Sequence, residues 1–388
     1  MKSTLKRTWA EIDLDALHHN YETLRRRVGT AKFLGVVKAD AYGHGAVQVS
    51  RALQTWGADY LAVSSADEAL ELRENGITMP ILILGYTPAD QVPMLIEQSV
   101  TQAVTSEEAA RAYSAAAVEY GGTLKIHIKA DTGMSRLGWQ CDDAHFAESA
   151  ESISRVCAMP GLEAEGIFTH FAVSDEAGEK SEAYTRRQYD RFCRIIAAAE
   201  ERWGRKFAIH HCANTGATAC YTEYAWDMVR PGLLLYGYGE FAEKLGLRPV
   251  MSLKTTVSTV KIYAPGTDVS YGRHYTTDKV TRMGVVPYGY ADGFLRVLSN
   301  RCSLMTADGP APQRGRICMD MCMIDLTACP RVQPGDEVEI FGGKQSVDTL
   351  ASLAGTIPYE LTCAVSKRVP RLYLQGGEVV EKELLLRF

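Results

Sequence analysis

The sequence contains no unbroken apolar run of membrane-spanning length. Its opening, MKSTLKRTWAEIDLDALHHN, lacks the apolar stretch of a secretory leader. A soluble, cytoplasmic protein is expected, with no membrane partner. Ten cysteines are scattered from Cys141 to Cys363 without a Cys-x-x-Cys pair or a regular spacing. That pattern argues against a disulfide framework and fits reduced thiols. Basic clusters are missing too: the net charge is −5, and Arg25-Arg26-Arg27 is the one basic run, so nothing attracts nucleic acid. No metal-ligand spacing stands out, because His210 and His211 are adjacent and point to opposite faces of a strand. There is no glycine-rich G-x-G-x-x-G turn, no internal repeat and no low-complexity tract.

What remains is ordinary globular composition, 46% hydrophobic and 23% charged, in a chain of 388 residues. That length suggests two domains unless one is an α/β barrel. Eight short apolar runs lie in the first two thirds, at 33–39, 60–65, 81–85, 102–105, 124–131, 163–171, 207–214 and 228–237. Amphipathic segments such as 67–75, 106–120 and 182–203 separate them. Near-continuous apolar strands alternating with helices imply a parallel sheet covered on both faces, and eight such units match a (β/α)8 TIM-type barrel. A doubly wound sheet competes, but usually has fewer strands and the missing glycine-rich turn. After Leu245 the segments turn β-like between Pro, Gly and Asp turns. We therefore expect a barrel domain over 1–244, whose first ten or so residues could pair with a mainly β domain over 245–388.

In such a barrel, chemistry gathers at the C-terminal ends of the strands. The first run ends GVVKADAYGHGA, placing Lys38 and then Tyr42 beyond a buried strand. Lys38 either snorkels to solvent or sits in a pocket where desolvation makes it a Schiff-base former. The fifth run ends in Lys129 and Asp131, followed by Arg136. The sixth ends in His170, the seventh in His211, Asn214 and Thr215, and the eighth in Arg230-Pro231-Gly232. Five strands delivering polar groups to one rim argue for function. A lysine, glycine turns and hydroxyls together suit a phosphorylated carbonyl cofactor, its phosphate held by backbone N–H groups after Asn214-Thr215 and Gly232.

The segments VVKADAYGHG, KADTGMSRLG, FTHF, HCANTGA, RPGLLLYG, DVSYG, PYGYADG and GRICMD, in this order, resemble the motifs of alanine racemases. These are pyridoxal 5'-phosphate enzymes built from an α/β barrel and a β domain, and the resemblance runs from Trp9 to Arg371. It implies interconversion of L- and D-alanine, the D-isomer serving peptidoglycan. Lys38 would carry the cofactor and act as base for the D-isomer. Tyr271 would be the base for the L-isomer, supported by a chain through His170 to Arg230. Arg230 would also face the ring nitrogen of the cofactor and leave it unprotonated.

By the same resemblance Tyr42, Asn214, Thr215, Gly232 and Leu233 would hold the phosphate end. Arg136 and the Met319 N–H would meet the substrate carboxylate. Lys129, carbamylated in many relatives, would orient Arg136. Tyr290 and Asp320 would line the substrate entrance, and each site would be shared within a homodimer. Two departures are visible: Lys367 stands where many relatives place a phosphate-touching tyrosine and would pair with the phosphate in its stead, the alternative being a solvated lysine, and Thr215 replaces the commoner serine. A serine or broad-substrate racemase is the nearest alternative. A decarboxylase or a cofactor-binding regulator is more distant, since the first wants a different partner than Arg230 and the second has no use for Tyr271.

Overall fold

The computed structural model describes residues 7–384, which form two compact units. One unit comprises Tyr21–Ala41 and Ala46–Leu235. Its sheet runs in the order Met228–Val229, Lys32–Val36, Tyr60–Val63, Ile81–Ile83, Val100–Val104, Leu124–Asp131, Leu162–Phe168, Ile209–His211, and every pairing along it is parallel. Backbone bonds from Asp227 N to His210 O (3.2 Å) and Arg230 N to Ala213 O (2.9 Å) join the first-named strand to the last, closing the barrel seam. The eight strands fall on the eight apolar runs. Tyr60–Val63, Ile81–Ile83 and Val100–Val104 are buried at every position, as strands covered on both faces must be.

The last two strands are shorter than the apolar runs around them. Pro231 has no N–H to give a ladder, so the eighth strand stops at Val229, and Leu233–Tyr236 curls into a 3-10 turn. Intervening helices start on serine caps where the chain offers them. Ser65 accepts from Glu68 N, Ser106 accepts from Ala109 N, and Gly121 ends the Glu107–Tyr120 helix at φ 78°.

The other unit holds residues 7–20, 42–45 and 236–384. A long, mostly antiparallel sheet orders its strands as Thr259–Tyr263, Thr281–Val286, Cys322–Asp325, Gly309–Arg314, Ser303–Thr306, Glu337–Phe341, Met251–Thr256, Thr8–Asp13, Arg371–Gln375, Glu378–Glu383. Strand Thr8–Asp13 is inserted between Met251–Thr256 (antiparallel) and Arg371–Gln375 (parallel). Here burial alternates along a strand, as in Met251–Thr256 and Cys322–Asp325, the mark of a sheet with one covered face. The ten cysteines are all free thiols. Among the described residues no helix is long and apolar enough to cross a membrane.

Candidate active site

The chain leaves the first barrel strand at Val36 and enters an unusual turn. Ala39, Asp40, Ala41 and Tyr42 all have φ between 52° and 55°, and Gly43 follows at 83°. L-residues pay about 1–2 kcal/mol each for this left-handed conformation, so the surroundings must impose it. Glu68 does so from the helix Ala66–Glu74 that follows the second strand, accepting Ala39 N (2.7 Å) and Ser64 N (2.6 Å) on its two oxygens. Asp40 accepts Ala46 N at 2.8 Å, and Ala41 N reaches back to Val37 O at 2.8 Å. Half-buried Lys38 is thus anchored on a backbone with little freedom.

Around it the rim is crowded with cations. Burial pushes the Lys129 ammonium down to about 7, and the Arg230 and Arg136 charges add to the shift against Asp131. His170 is held well below the usual imidazole range, first by desolvation and then by Arg230, Lys129, Arg136 and Lys38. Burial and the positive field of its basic neighbours therefore keep this imidazole neutral. The carboxylate of Asp131 is engaged in bonds from Gly133 N and Ser135 N, both at 3.0 Å. Two buried basic groups, Arg230 and Lys129, with half-buried Lys38 and exposed Arg136 beside them, are the electrostatics of an anion site. Phe168 supplies a shared face: Lys129 Nζ lies 5.1 Å and the Arg230 guanidinium 5.4 Å from its ring centroid.

Arg230 is buried and its pKa, lowered by desolvation, stays near 10, so it remains charged. It donates to His211 Nδ1 (2.9 Å), Thr169 O (2.7 Å) and Cys212 O (3.2 Å). At the seventh strand's end, Asn214 caps the helix Thr215–Cys220. Its Oδ1 accepts from Ser174 Oγ (2.7 Å) and Ala217 N (3.1 Å), and its Nδ2 donates to Phe171 O (3.2 Å). Thr215 Oγ1 accepts from Gly232 N at 3.0 Å, tying two strand-end turns together. Gly216 permits this packing, since a Cβ there would come within 2.6 Å of Asp175 N. Gly232 and Leu233 are buried, and Arg136 is exposed.

The β unit presents a second group. Tyr271 opens a short turn, Tyr271–Arg273, in which Gly272 and Arg273 have positive φ, as does Ser270 just before it. Ser270 Oγ donates to Arg316 O (2.7 Å) and pins that turn to the segment leading to Cys318. Backbone bonds from Tyr290 N to Cys318 O and from Ala291 N to Met319 O, each 3.0 Å, strap Tyr290 beside Met319. Asp320 accepts from Arg368 Nη2 at 2.8 Å. A cavity of about 410 Å³ lies against Tyr271, Cys318 and Met321. Tyr42 packs between Tyr236 (5.1 Å between centroids) and Tyr359 (5.6 Å), and its burial raises the phenol's pKa.

Two adjoining family descriptions cover this arrangement: the alanine racemase N-terminal domain matches residues 12–240 and the C-terminal domain residues 250–373. The chain belongs to the alanine racemase family. An alanine racemase of Desulfovibrio desulfuricans is 44% identical over 373 residues, covering 95% of this chain and 98% of the relative. Alanine racemase 1 of Clostridium acetobutylicum is 42% identical over 97% of this chain and 98% of its own length. The solved alanine racemase of Clostridium difficile superposes over 100% of both chains with a TM-score of 0.93 at 38% identity.

Within this racemase-family scaffold the candidates fall into two sets. The barrel brings Lys38, Lys129, Arg136, His170 and Arg230 to one rim, with Asn214, Thr215, Gly232 and Leu233 forming its adjacent turns. The β unit groups Tyr271, Tyr290, Met319 and Asp320. The structure gives three of the expected residues other surroundings. The expected Arg230–His170 link is absent among the described residues, because the guanidinium is turned toward His211 Nδ1 and two carbonyls. Asn214 shapes the turn, its carbonyl oxygen accepting two bonds and its amide donating to Phe171 O. Lys367 is exposed on a turn, while Tyr359 is the residue beside Tyr42. Sequence reading missed Tyr359, although its position at the second residue of the helix Pro358–Ala364 was open to view.

Proposed function

We propose that this chain is a pyridoxal 5'-phosphate-dependent racemase that interconverts L-alanine and D-alanine in the cytoplasm. One observation carries the reading: buried Arg230 and Lys129 share the ring of Phe168, 5.4 and 5.1 Å from its centroid, at the strand-end rim that also carries Lys38, Arg136 and His170. The donor set fits the cofactor. Lys38 would hold its carbonyl and Arg230 its ring nitrogen, with Thr215, Gly232 and Leu233 at the phosphate end, to which the family resemblance adds the Tyr42 hydroxyl. Arginine donates without surrendering a proton, which suits an unprotonated ring nitrogen and argues against a decarboxylase.

When bound, the cofactor supplies an electron sink for the pair left on the substrate α-carbon. The protein supplies the proton traffic. Lys38 takes the α-proton of the D-isomer on one face, and Tyr271 takes that of the L-isomer on the other. Arg136 and the Met319 N–H hold the substrate carboxylate, and Tyr290 and Asp320 narrow the entrance. His170 is neutral, so it serves Tyr271 as a hydrogen-bond partner and not as a cation. With a pKa near 7, Lys129 presents enough free amine to take up CO2 as a carbamate, whose negative charge would orient Arg136.

The exposed side chains of Tyr271, Met319 and Tyr290 suit a homodimer in which each site draws on both chains. The direct test is to purify the protein, record its visible absorbance, and follow optical inversion of alanine and serine separately. A yellow protein that racemises alanine faster than serine is expected. A colourless protein, or one that decarboxylates its substrate, would overturn the reading.

A further inference from the structure

The interior of a parallel barrel is ordinarily a stack of branched apolar side chains. This barrel instead carries a polar column. From Arg230 Nη1 it passes to His211 Nδ1 (2.9 Å), from His211 Nε2 to His127 Nδ1 (2.8 Å), and from His127 Nε2 to Glu165 Oε2 (3.1 Å). Glu165 also accepts from Tyr60 OH on Oε2 (2.9 Å) and from Lys125 Nζ on Oε1 (3.0 Å). Both imidazoles are fully buried.

We propose that Glu165 and His127 are positioning residues for Arg230, joined to it through His211 in one directed hydrogen-bond chain that fixes the guanidinium for the cofactor ring. The two ends dictate the direction. Arginine can only donate and an ionised carboxylate can only accept. Two neutral histidines between them have one consistent arrangement: each accepts at Nδ1 and donates from Nε2. Desolvation keeps both imidazoles neutral by lowering their pKa values. Burial alone would raise that of Glu165, but the bonds from His127, Lys125 and Tyr60 hold it down at about 2. Arg230 has five N–H donors, of which the chain and the carbonyls of Thr169 and Cys212 use three. The remaining donors, Nε and one on Nη1, are then held in a fixed direction.

The backbone is shaped for this column. The sixth strand carries a register shift opposite Ile126/His127, where Ala164 and Gly166 pair and Glu165 is left as the extra residue. Such a bulge re-aims a side chain that regular alternation would send elsewhere. Gly166 makes room for the ring: a Cβ there would lie 2.7 Å from His127 Cε1 and 2.8 Å from its Nδ1. Neither a glycine nor a bulge at this position is needed to build a barrel. If the Glu165 acceptor is removed, His127 loses its reason to protonate Nε2. His211 can then protonate Nδ1, which turns an N–H against the Arg230 donor and displaces it.

The functional half of this inference rests on the racemase reading, whereas the tautomers are a property of the protein itself. The full-length protein labelled with [15N]histidine therefore tests it first, by two-bond proton–nitrogen correlation, with His127→Asn used for assignment. His127 and His211 should both be neutral Nε2–H tautomers, with or without cofactor. An Nδ1–H tautomer at either position would overturn the chain. The second measurement is the ring-nitrogen signal of 15N-labelled pyridoxal phosphate in the holoenzyme. Glu165→Leu should shift that signal and lower kcat by about tenfold or more at unchanged KM, the usual cost of losing an outer support.

Glu165→Gln, whose amide oxygen still accepts, should restore the tautomers, the ring signal and most of kcat. If Glu165→Leu left signal and kcat untouched, or Glu165→Gln behaved like it, the positioning role would be refuted. Should Glu165→Leu fail to fold, Gly166→Ala presses on the same imidazole from the neighbouring strand. It should move both the histidine and the ring signals, and no movement would refute the proposal. A wild-type protein that does not bind the labelled cofactor would instead refute the racemase reading and leave the tautomer result to be judged alone.

Discussion

The two groups of candidate residues are held in opposite ways. At the barrel rim, Arg230 and Lys129 are buried and Thr215 and Asn214 are tied to backbone groups. On the β unit, Tyr271 is 69% exposed, Met319 53% and Tyr290 44%. No hydrogen bond engages the Tyr271 hydroxyl among the described residues. A single chain thus completes the cation-rich half by its own packing and offers the tyrosine half outward, on a cavity-lined surface. Pre-organised charge and an outward-facing base are what a site assembled from two chains would require.

The comparison breaks most severely at Lys38. Lys38→Ala should remove the covalent attachment and lower racemisation toward the upper limit for a lost acid–base group, about 10⁴-fold. Borohydride reduction followed by peptide mapping should place the pyridoxyl group in the GVVKADAYGHGA peptide of the unaltered protein. A label on another lysine would remove Lys38 from its role.

Tyr271 tests the outward half. Tyr271→Phe should cost about 10²–10⁴-fold in both directions, because equilibrium forbids slowing one alone. The half-reactions should differ. Solvent deuterium exchange at the α-carbon should collapse for the L-isomer and survive better for the D-isomer, which uses Lys38. Mixing this variant with Lys38→Ala adds a sharper measurement: if sites are shared, the mixed dimer recovers one intact site of two. No recovery on mixing would mean that each chain builds its own site.

Lys129 gives a smaller, pH-dependent effect. An ordinary lysine titrates near 10.4, and this one is held at about 7 by burial. Between those values the unfolded chain binds a proton that the folded chain lacks, so stability rises with pH across the window. Below it the cost of a buried ammonium is present in full, and above it the cost has gone. Lys129→Met lacks that titration. In CO2-free buffer its advantage over the unaltered protein should therefore shrink by a few kcal/mol, at about 1.4 kcal/mol per pH unit. Urea melts at about pH 7 and about pH 9.5 read this directly, and a constant gap would show that Lys129 is not desolvated.

These effects also separate what the sequence discloses from what it conceals. The barrel was legible because strands buried on both faces leave unbroken apolar runs, as at Ile81–Ile83. The rim residues were legible because strand ends in such a fold carry the chemistry. Glu165 was not, since regular alternation along EAEGIFTHF gives no sign that a bulge re-aims one carboxylate. His127 had a signal, being one of the polar residues that alternate with Leu124, Ile126, Ile128 and Ala130 in a strand otherwise reading as core. The left-handed turn after Lys38 could not be read at all. Alanine and tyrosine there have no local preference for positive φ, and a single aspartate tolerates it without announcing a run of four, which Glu68 and Asp40 impose through bonds to Ala39 N and Ala46 N.

The smallest effect concerns Lys367, where sequence position and structure disagree. An exposed lysine that meets a phosphate only through solvent is worth little, about 0–1 kcal/mol, so Lys367→Ala should change cofactor affinity by less than about fivefold. Tyr359 is different. Its ring lies 5.6 Å from that of Tyr42, whose buried phenol stays protonated and can donate. A second phenol beside it would give the phosphate two neutral donors, and a hydrogen bond to a charged group contributes about 1.5–3 kcal/mol. Tyr359→Phe keeps the ring packing and removes only the hydroxyl, so it should weaken cofactor binding by about tenfold or more with little change in melting temperature. Equilibrium binding of pyridoxal phosphate to the apoprotein, followed by absorbance, ranks the two variants. If Lys367→Ala proved the weaker binder, the phosphate would be held from the turn and not by the tyrosine pair.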